Sequence, residues 1–327
     1  MKIKAADALL VVLSLLVLAP GVSAQEEPQD RAEGALFLLL PVGAQGVSLG
    51  RAMTWVEGAE GAFWNPAGLA GVDRSQGVLF RSDHISGTAT AVTGLWANPG
   101  VGTLGASYFL LDAGDIDQTD EFGNPTGTIT IRNHLGVVSG ATRVGPNVSA
   151  GLSLKVIRFQ LACRGICADE GTTATTYAID AGVQGLVGER LRLGAMVAHL
   201  GPSLQVLNAE QADPLPSRLR LAASYNLVSA ITDLESVRGW LAFEIEDRLR
   251  ALGSLSYYLG TELSTGQTDA LSLRAGYVWS DLNQEDGGRV GLGLRFERFE
   301  LSIAKSLAVS TLTGETEPVH VTFSIGF

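Results

Sequence analysis

From residue 75 onward, apolar side chains alternate with polar or small ones along most of the chain. Val290, Leu292, Leu294 and Phe296 fall on one side, with Arg289, Gly291, Gly293 and Arg295 opposite. Leu271, Leu273, Ala275, Tyr277 and Trp279 oppose Ser272, Arg274, Gly276 and Ser280, and Leu219, Leu221, Ala223 and Tyr225 oppose Arg218, Arg220, Ala222 and Ser224. Successive side chains of a strand point to opposite faces, so each stretch has one greasy face and one polar or small face. The pattern predicts strands over 75–82, 87–97, 101–111, 127–143, 148–160, 174–187 and 190–199. It continues over 216–226, 237–247, 253–263, 269–280, 288–296, 298–306 and 318–327. That makes about fourteen, an even count of the kind single-chain bacterial barrels have.

The last nine residues, Val319 to Phe327, show the alternation most cleanly, with Phe323, Ile325 and Phe327 on the apolar side. About nine residues are what a tilted strand needs to cross a bilayer's hydrocarbon. An open sheet ending on such a strand would expose an edge that invites aggregation. A closing strand has no such edge, because it pairs with the first one. Phe323, Ile325 and Phe327 are therefore expected on the closing strand of an all-β, antiparallel transmembrane barrel.

The connections lean the same way. Asn98–Gly100, Gly145–Asn147, Gly188–Glu189 and Glu297 read as tight turns. The stretches 112–126, 161–173, 201–215 and 308–317 read as long loops, on the other side. In bacterial barrels short turns face the periplasm and longer loops the exterior. The short 83–86 and the longish 228–236 depart from this rule. The parity puts both termini in the periplasm.

The first 74 residues are of another kind. Lys2 and Lys4, the apolar run from Leu9 to Ala19 and the small Val22-Ser23-Ala24 predict an export signal over 1–24. Its apolar part is too short for a membrane anchor, and no later stretch has the ~18 apolar residues of a transmembrane helix. Residues 25–33 are polar and acidic. From Gly34 to Ala70 small and apolar residues mix without a period of two. Asn65-Pro66 followed by Gly68 marks a turn, because proline fixes its own φ and pushes Asn65 out of the helical region. Gly43, Gly46 and Gly50 do not form a dinucleotide fingerprint in spacing or context.

Composition narrows the classes further. Forty glycines, 17% charged residues and a mean hydropathy of +0.22 fit closely packed strands with one face out of water. A net charge of −11 argues against nucleic acid, which needs a basic footprint. Cys163 and Cys167 are separated by three residues and, in an exported chain, read as a short-loop disulfide. A zinc site would need further ligands, and His84, His134, His199 and His320 show no ligand spacing. His84, His134 and His320 have no evident catalytic partner, so the expectation is a non-enzymatic chain without cofactor. The faces opposite the greasy ones carry Arg218, Arg220, Arg238, Glu244, Glu246, Arg274, Arg289, Arg295 and Glu300. A wet, paired lumen tolerates such charges, whereas facing lipid each would cost about 2–4 kcal/mol at the midplane.

The stretch Phe37–Ala70, closing on Phe63-Trp64-Asn65-Pro66-Ala67-Gly68-Leu69-Ala70, resembles the N-terminal signature of the PorV/PorQ family of outer-membrane proteins. These are similar in architecture to FadL/OmpP1 channels. Where relatives often carry an acidic pair before the asparagine, this chain has Glu57-Gly58. The resemblance implies a 14-stranded barrel over 75–327 whose lumen is blocked by a plug over 25–74. It assigns Trp64, Asn65, Pro66, Ala67, Gly68 and Leu69 to the plug motif. PorV-type members serve type IX secretion and hold exported cargo proteins; FadL-type members pass hydrophobic small molecules. The expected partners are thus outer-membrane lipid and either cargo or a hydrophobic solute, with the secretion role as the leading reading.

Overall fold

A computed structural model describes residues 32–84, 87–98, 100–166, 171–208, 210, 212–231, 236–266, 270–280, 286–308 and 319–327. Fourteen antiparallel strands close into one barrel. They are β1 (Gln76–His84), β2 (Gly87–Asn98), β3 (Gly102–Thr119), β4 (Pro125–Arg143) and β5 (Val148–Gly165). Next come β6 (Gly171–Val187), β7 (Leu191–Leu200), β8 (Arg218–Asn226), β9 (Val237–Arg248) and β10 (Ala251–Thr265). The last four are β11 (Ala270–Trp279), β12 (Gly287–Phe296), β13 (Phe299–Ser306) and β14 (Val319–Gly326). Each pairs with its sequence neighbours, and the seam is β14 on β1, from Gln76 opposite Gly326 to Ser82 opposite His320.

The alternation acts as one greasy face and one inward face. Leu79, Val138, Leu154 and Phe323 on the outer wall are 49, 63, 54 and 41% exposed, while Glu244, Arg289 and His320 on the inner wall are buried. Phe323 stacks on Phe299 of β13, Ile325 shares its face, and the Phe327 amide donates to the Ser75 carbonyl beside the seam. His320 lies flat against Phe80 inside.

We call lower the end where β1 begins and β14 finishes, and upper the other. Lower connections are short except 227–236, which holds a single helical turn at Val228–Ile231. Upper connections are long at 201–217, 280–286 and 307–318, but short at 85–86 and 249–250.

Two long loops of the sequence reading are mostly strand. The 112–126 stretch belongs to a hairpin in which β3 runs to Thr119 and β4 starts at Pro125; in the 161–173 stretch, β5 runs to Gly165 and β6 starts at Gly171. The reason is a register irregularity between Asp112 and Asp115, past which pairing resumes as Ile116 opposite Ile129. β2 pairs β3 only up to Asp112, so β3–β6 rise beyond their neighbours as a free wall. Residues 113–119 alone extend it by roughly 20 Å at 3.3 Å per residue.

The first described residues lie at the upper end, while the N-terminus of the parity reading falls outside the described residues. Glu33 and Gly34 lie against Arg218 and the Pro214 carbonyl at the upper end, not beside Phe327 at the lower end. Apolar Leu38 and Leu40 pack with Phe37 into a core that includes Phe109 and Leu135 of the upper wall. From there the segment descends inside the barrel to Ser75. The leader over 1–24, and residues 25–31, lie outside the described residues.

Candidate functional site

The inner segment makes one lap of the wall. Its only α-helix is α1 (Ala44–Ser48), which contacts β11, β12, β13 and β14; the rest is 3₁₀ turns at Leu36–Leu39, Ala59–Ala62 and Pro66–Gly71. Small residues let its backbone press on the strands, and the wall answers with glycines. A β-carbon at Gly291 of β12 would meet Ser48 Cβ at 2.4 Å, and one at Gly276 of β11 would meet the Gly50 nitrogen at 2.2 Å. At Gly194 of β7 it would meet the Thr54 carbonyl at 2.3 Å, and at Gly151 of β5 the Pro66 carbonyl carbon at 2.3 Å. Gly151 and Gly182 are paired across β5 and β6, as are Gly260 and Gly276 across β10 and β11.

The Trp64–Leu69 stretch serves this packing. The Trp64 indole N–H donates to the Val42 carbonyl at 2.7 Å. Asn65 is fully buried and extended (φ −113°, ψ 111°). Its amide donates to the Thr54 carbonyl at 2.7 Å and its oxygen caps the Ala67 N–H at 3.1 Å, with Pro66 starting the 3₁₀ turn. That oxygen occupies the space a β-carbon on Gly182 would need, at 1.9 Å. Ala67 and Leu69 are buried, and the Gly68 N–H returns to the Asn65 carbonyl. Cys163 lies near the top of β5, in register with Ile129; Cys167 lies outside the described residues.

Charges inside are satisfied in networks, as burial demands. Glu244 accepts from the Thr54 N–H at 2.8 Å and from its hydroxyl at 2.7 Å, tying the inner segment to β9. Arg220 of β8 pairs with Glu244 at 2.9 Å and Glu246 at 3.0 Å, and donates to the Arg51 carbonyl at 3.2 Å. Its guanidinium lies 4.9 Å from the Trp64 ring and 5.4 Å from Tyr258. Gln184 donates to the Thr54 and Val56 carbonyls. Glu60 accepts from the Gly46 N–H at 2.9 Å and the Gln45 N–H at 3.2 Å, bracing α1. Burial pushes its carboxyl up to about 7, against the opposing pull of those two N–H groups and Arg274.

Above this belt lies a cavity with two different halves. Phe37, Leu38, Leu40, Phe63, Phe109 and Leu135 make its apolar side; Arg51, Lys155, His199, Arg218, Arg220 and Glu246 make the polar side. Lys155 is ion-paired with Asp180, whose Oδ1 also accepts the His199 N–H at 2.8 Å. His199 sits with φ +58° where the β6–β7 register slips, held by that bond and by its carbonyl accepting from the Ser217 hydroxyl at 2.8 Å. The space left for water-sized molecules is ≈ 50 Å³, about a third of the roughly 150 Å³ of an engineered dry cavity that admits benzene. The free space is therefore too small for such a guest.

The tall wall continues the apolar half upward. Parity from the buried Leu135 and Ile157 puts Ile129, Ile131, Phe159 and Leu161 on its inner face, with Ile116 beside Ile129. Its outer face carries Asp115, Thr130, Arg132 and Arg158. Below, the wall's outer face is greasy and its inner face mixes apolar and polar residues, Lys155 and Asp180 among them; above, the outer face is the polar one. The sequence reading missed this cavity, since its lining is drawn from scattered positions between Phe37 and Glu246. The reversal was the available signal: Ile116, Ile129 and Ile131 interrupt an otherwise polar stretch.

No family model matches the chain, and no curated protein is detectably similar in sequence. Solved structures with this fold are found. The Ralstonia pickettii toluene transporter TbuX aligns with a TM-score of 0.58 at 12% identity, over 87% of this chain and 98% of its own. The CymD monoaromatic hydrocarbon channel gives 0.62 at 11%, over 90% and 99%. A Pseudomonas aeruginosa FadL homologue gives 0.52 at 10%, over 88% and 99%. At such identity the likeness establishes a shared 14-stranded barrel architecture.

Proposed function

We propose that this chain is an outer-membrane channel, not an enzyme, that takes small hydrophobic molecules from outside the cell into its barrel. One observation carries the reading: an apolar inner surface runs from Ile116, Ile129 and Ile131 on the free wall down to Phe159, Phe109 and Leu135. Facing the charged cluster of Arg218, Arg220, Glu244 and Glu246 across the lumen, that strip is a path for solutes that water would reject. The greasy outer wall supports the membrane location, since such a face in water would aggregate. The polar outer face of the tall wall supports an upper end standing clear of lipid. In this reading residues 25–74, described from residue 32 onward, act as the plug.

The named activities of TbuX and CymD favour a hydrophobic solute over a protein cargo. The secretion reading drawn from Trp64–Leu69 gains nothing here, because that stretch is engaged in packing between inner segment and wall.

The test uses Gram-negative cells expressing the full chain. Uptake of the fluorescent hydrophobic probe N-phenyl-1-naphthylamine should rise several-fold over cells with an empty vector. Equal uptake would defeat the proposal, provided the outer-membrane fraction holds a barrel whose gel mobility changes on boiling.

A further inference from the structure

On the outer wall, the seam carries two cations that the barrel itself does not use. Phe80 and Ser82 of β1 are buried, so Arg81 between them points outward; Ala304 and Ser306 of β13 are buried, so Lys305 points outward too. Both are exposed, and among the described residues neither side chain has an ion-pair or hydrogen-bond partner. They stand on either side of β14: Arg81 opposes Val321, and Lys305 opposes Val319. Two strand spacings across and two residues along put their backbones roughly 12 Å apart, a gap that two long side chains can close from both ends. Asp83, above Arg81 on the same face, is engaged by the Thr88 hydroxyl at 2.8 Å. Both cations lie near the upper ends of their strands, Arg81 just before His84 and Lys305 next to Ser306. Beneath them the same face is greasy, with Leu79, Leu301, Ile303 and Phe323 exposed.

Unpaired cations at the top of a greasy face, in a chain of net charge −11, mark a border where apolar matter below meets anionic matter above. We propose that the outer face of the β1–β14–β13 seam docks a membrane lipid with a phosphorylated head, its phosphates on Arg81 and Lys305 and its acyl chains on Leu79, Ile303 and Phe323. Charge complementarity selects the anionic head, and the apolar surface continuing beneath it selects a lipid over free phosphate. A second copy meeting this face by two-fold symmetry would set these cations against their own kind. The head bridges β1 and β13 over β14. It thereby braces from outside the one strand pair, β14 on β1, that no connection of the chain ties together. The site rests on the membrane placement of the channel reading and is independent of the solute carried.

The experiment incubates the full chain, folded in mild detergent, with bisphosphoryl lipid A, monophosphoryl lipid A, phosphatidylcholine or sodium pyrophosphate. It reads lipid retention by native mass spectrometry and the temperature at which the boil-sensitive gel form is lost. Bisphosphoryl lipid A should be retained most tightly and should raise that temperature by several degrees, because a ligand of the folded state stabilises it by mass action. R81Q and K305Q should each weaken its binding about five-fold, and R81Q/K305Q roughly thirty-fold. R81K/K305R keeps both charges and should bind as wild type does. Boil-sensitive gel mobility checks that each variant is a folded barrel, and the single substitutions keep the test decisive should the double one fold poorly. Binding of bisphosphoryl lipid A undiminished in these variants would overturn the site, as would equal retention of phosphatidylcholine. Pyrophosphate matching the lipid's stabilisation would overturn the lipid as occupant. Each of these results leaves the channel in place, whereas failed uptake of N-phenyl-1-naphthylamine beside charge-dependent lipid binding would remove the channel and keep the lipid site. A chain that stays soluble without detergent would overturn both.

Discussion

At Asn65 one amide serves two elements of the inner segment, donating to the Thr54 carbonyl and capping the Ala67 N–H. Its removal strands buried backbone groups, each costing ~1–3 kcal/mol. N65A should therefore lower stability by about 2–4 kcal/mol, at the upper end of ordinary single substitutions. Gly182→Ala should do comparable harm from the wall side, since its methyl group would collide with the Asn65 oxygen at 1.9 Å. Both appear as a lower temperature for loss of the boil-sensitive gel form. Glu60 makes a pH-dependent case. Its carboxyl is raised from the usual 4.5 to about 7 by burial, so the protonated form is the favoured one in the folded state. Its contribution is fully present below about 4.5 and is lost as pH rises through about 7. Protease resistance of the inner segment should accordingly fall between pH 5 and pH 8, and E60Q should flatten that dependence. An unchanged slope in E60Q would assign the effect elsewhere.

Among the elements, the β3–β6 wall shows what alternation reveals and what it hides. The period of two was legible wherever one face meets lipid, as in β8, β11 and β12, because there the environment enforces it residue by residue. The upper part of β3, from Asp112 to Thr119, was not, because the irregularity between Asp112 and Asp115 breaks the count and the polarity then inverts; β4, β5 and β6 were read short by only two to five residues at their upper ends. A strand whose polar face turns outward looks like loop to a reader expecting grease outside. The inversion also supplies a test. I129D/I131D should leave the barrel and its boil-sensitive mobility intact, since the free wall is not part of the closed hoop. Probe uptake in cells should fall several-fold. Uptake at wild-type rate would remove the tall wall from the path.

For the molecule as a whole, the fourteen strands and their seam were readable from pattern alone, while the interior was not. The inner segment lacks periodicity, and its partners are single glycines scattered over strands 140 residues apart, from Gly151 to Gly291. No local window holds both sides of such a contact. The forty glycines thus have a second use beyond strand packing: several of them form the track on which the inner segment runs. The cavity stayed hidden for the same reason, being half wall and half inner segment.

Because that lap is completed inside a hoop joined only by hydrogen bonds between β1 and β14, the order of assembly is constrained. A coil of this girth is not easily fed into a finished tube through either mouth. The lining must therefore settle on the growing sheet while it is still a trough, and the seam must zip afterwards. The final strand, with Phe323 and Ile325 on its outer face, then acts as a clasp fastened over contents already packed.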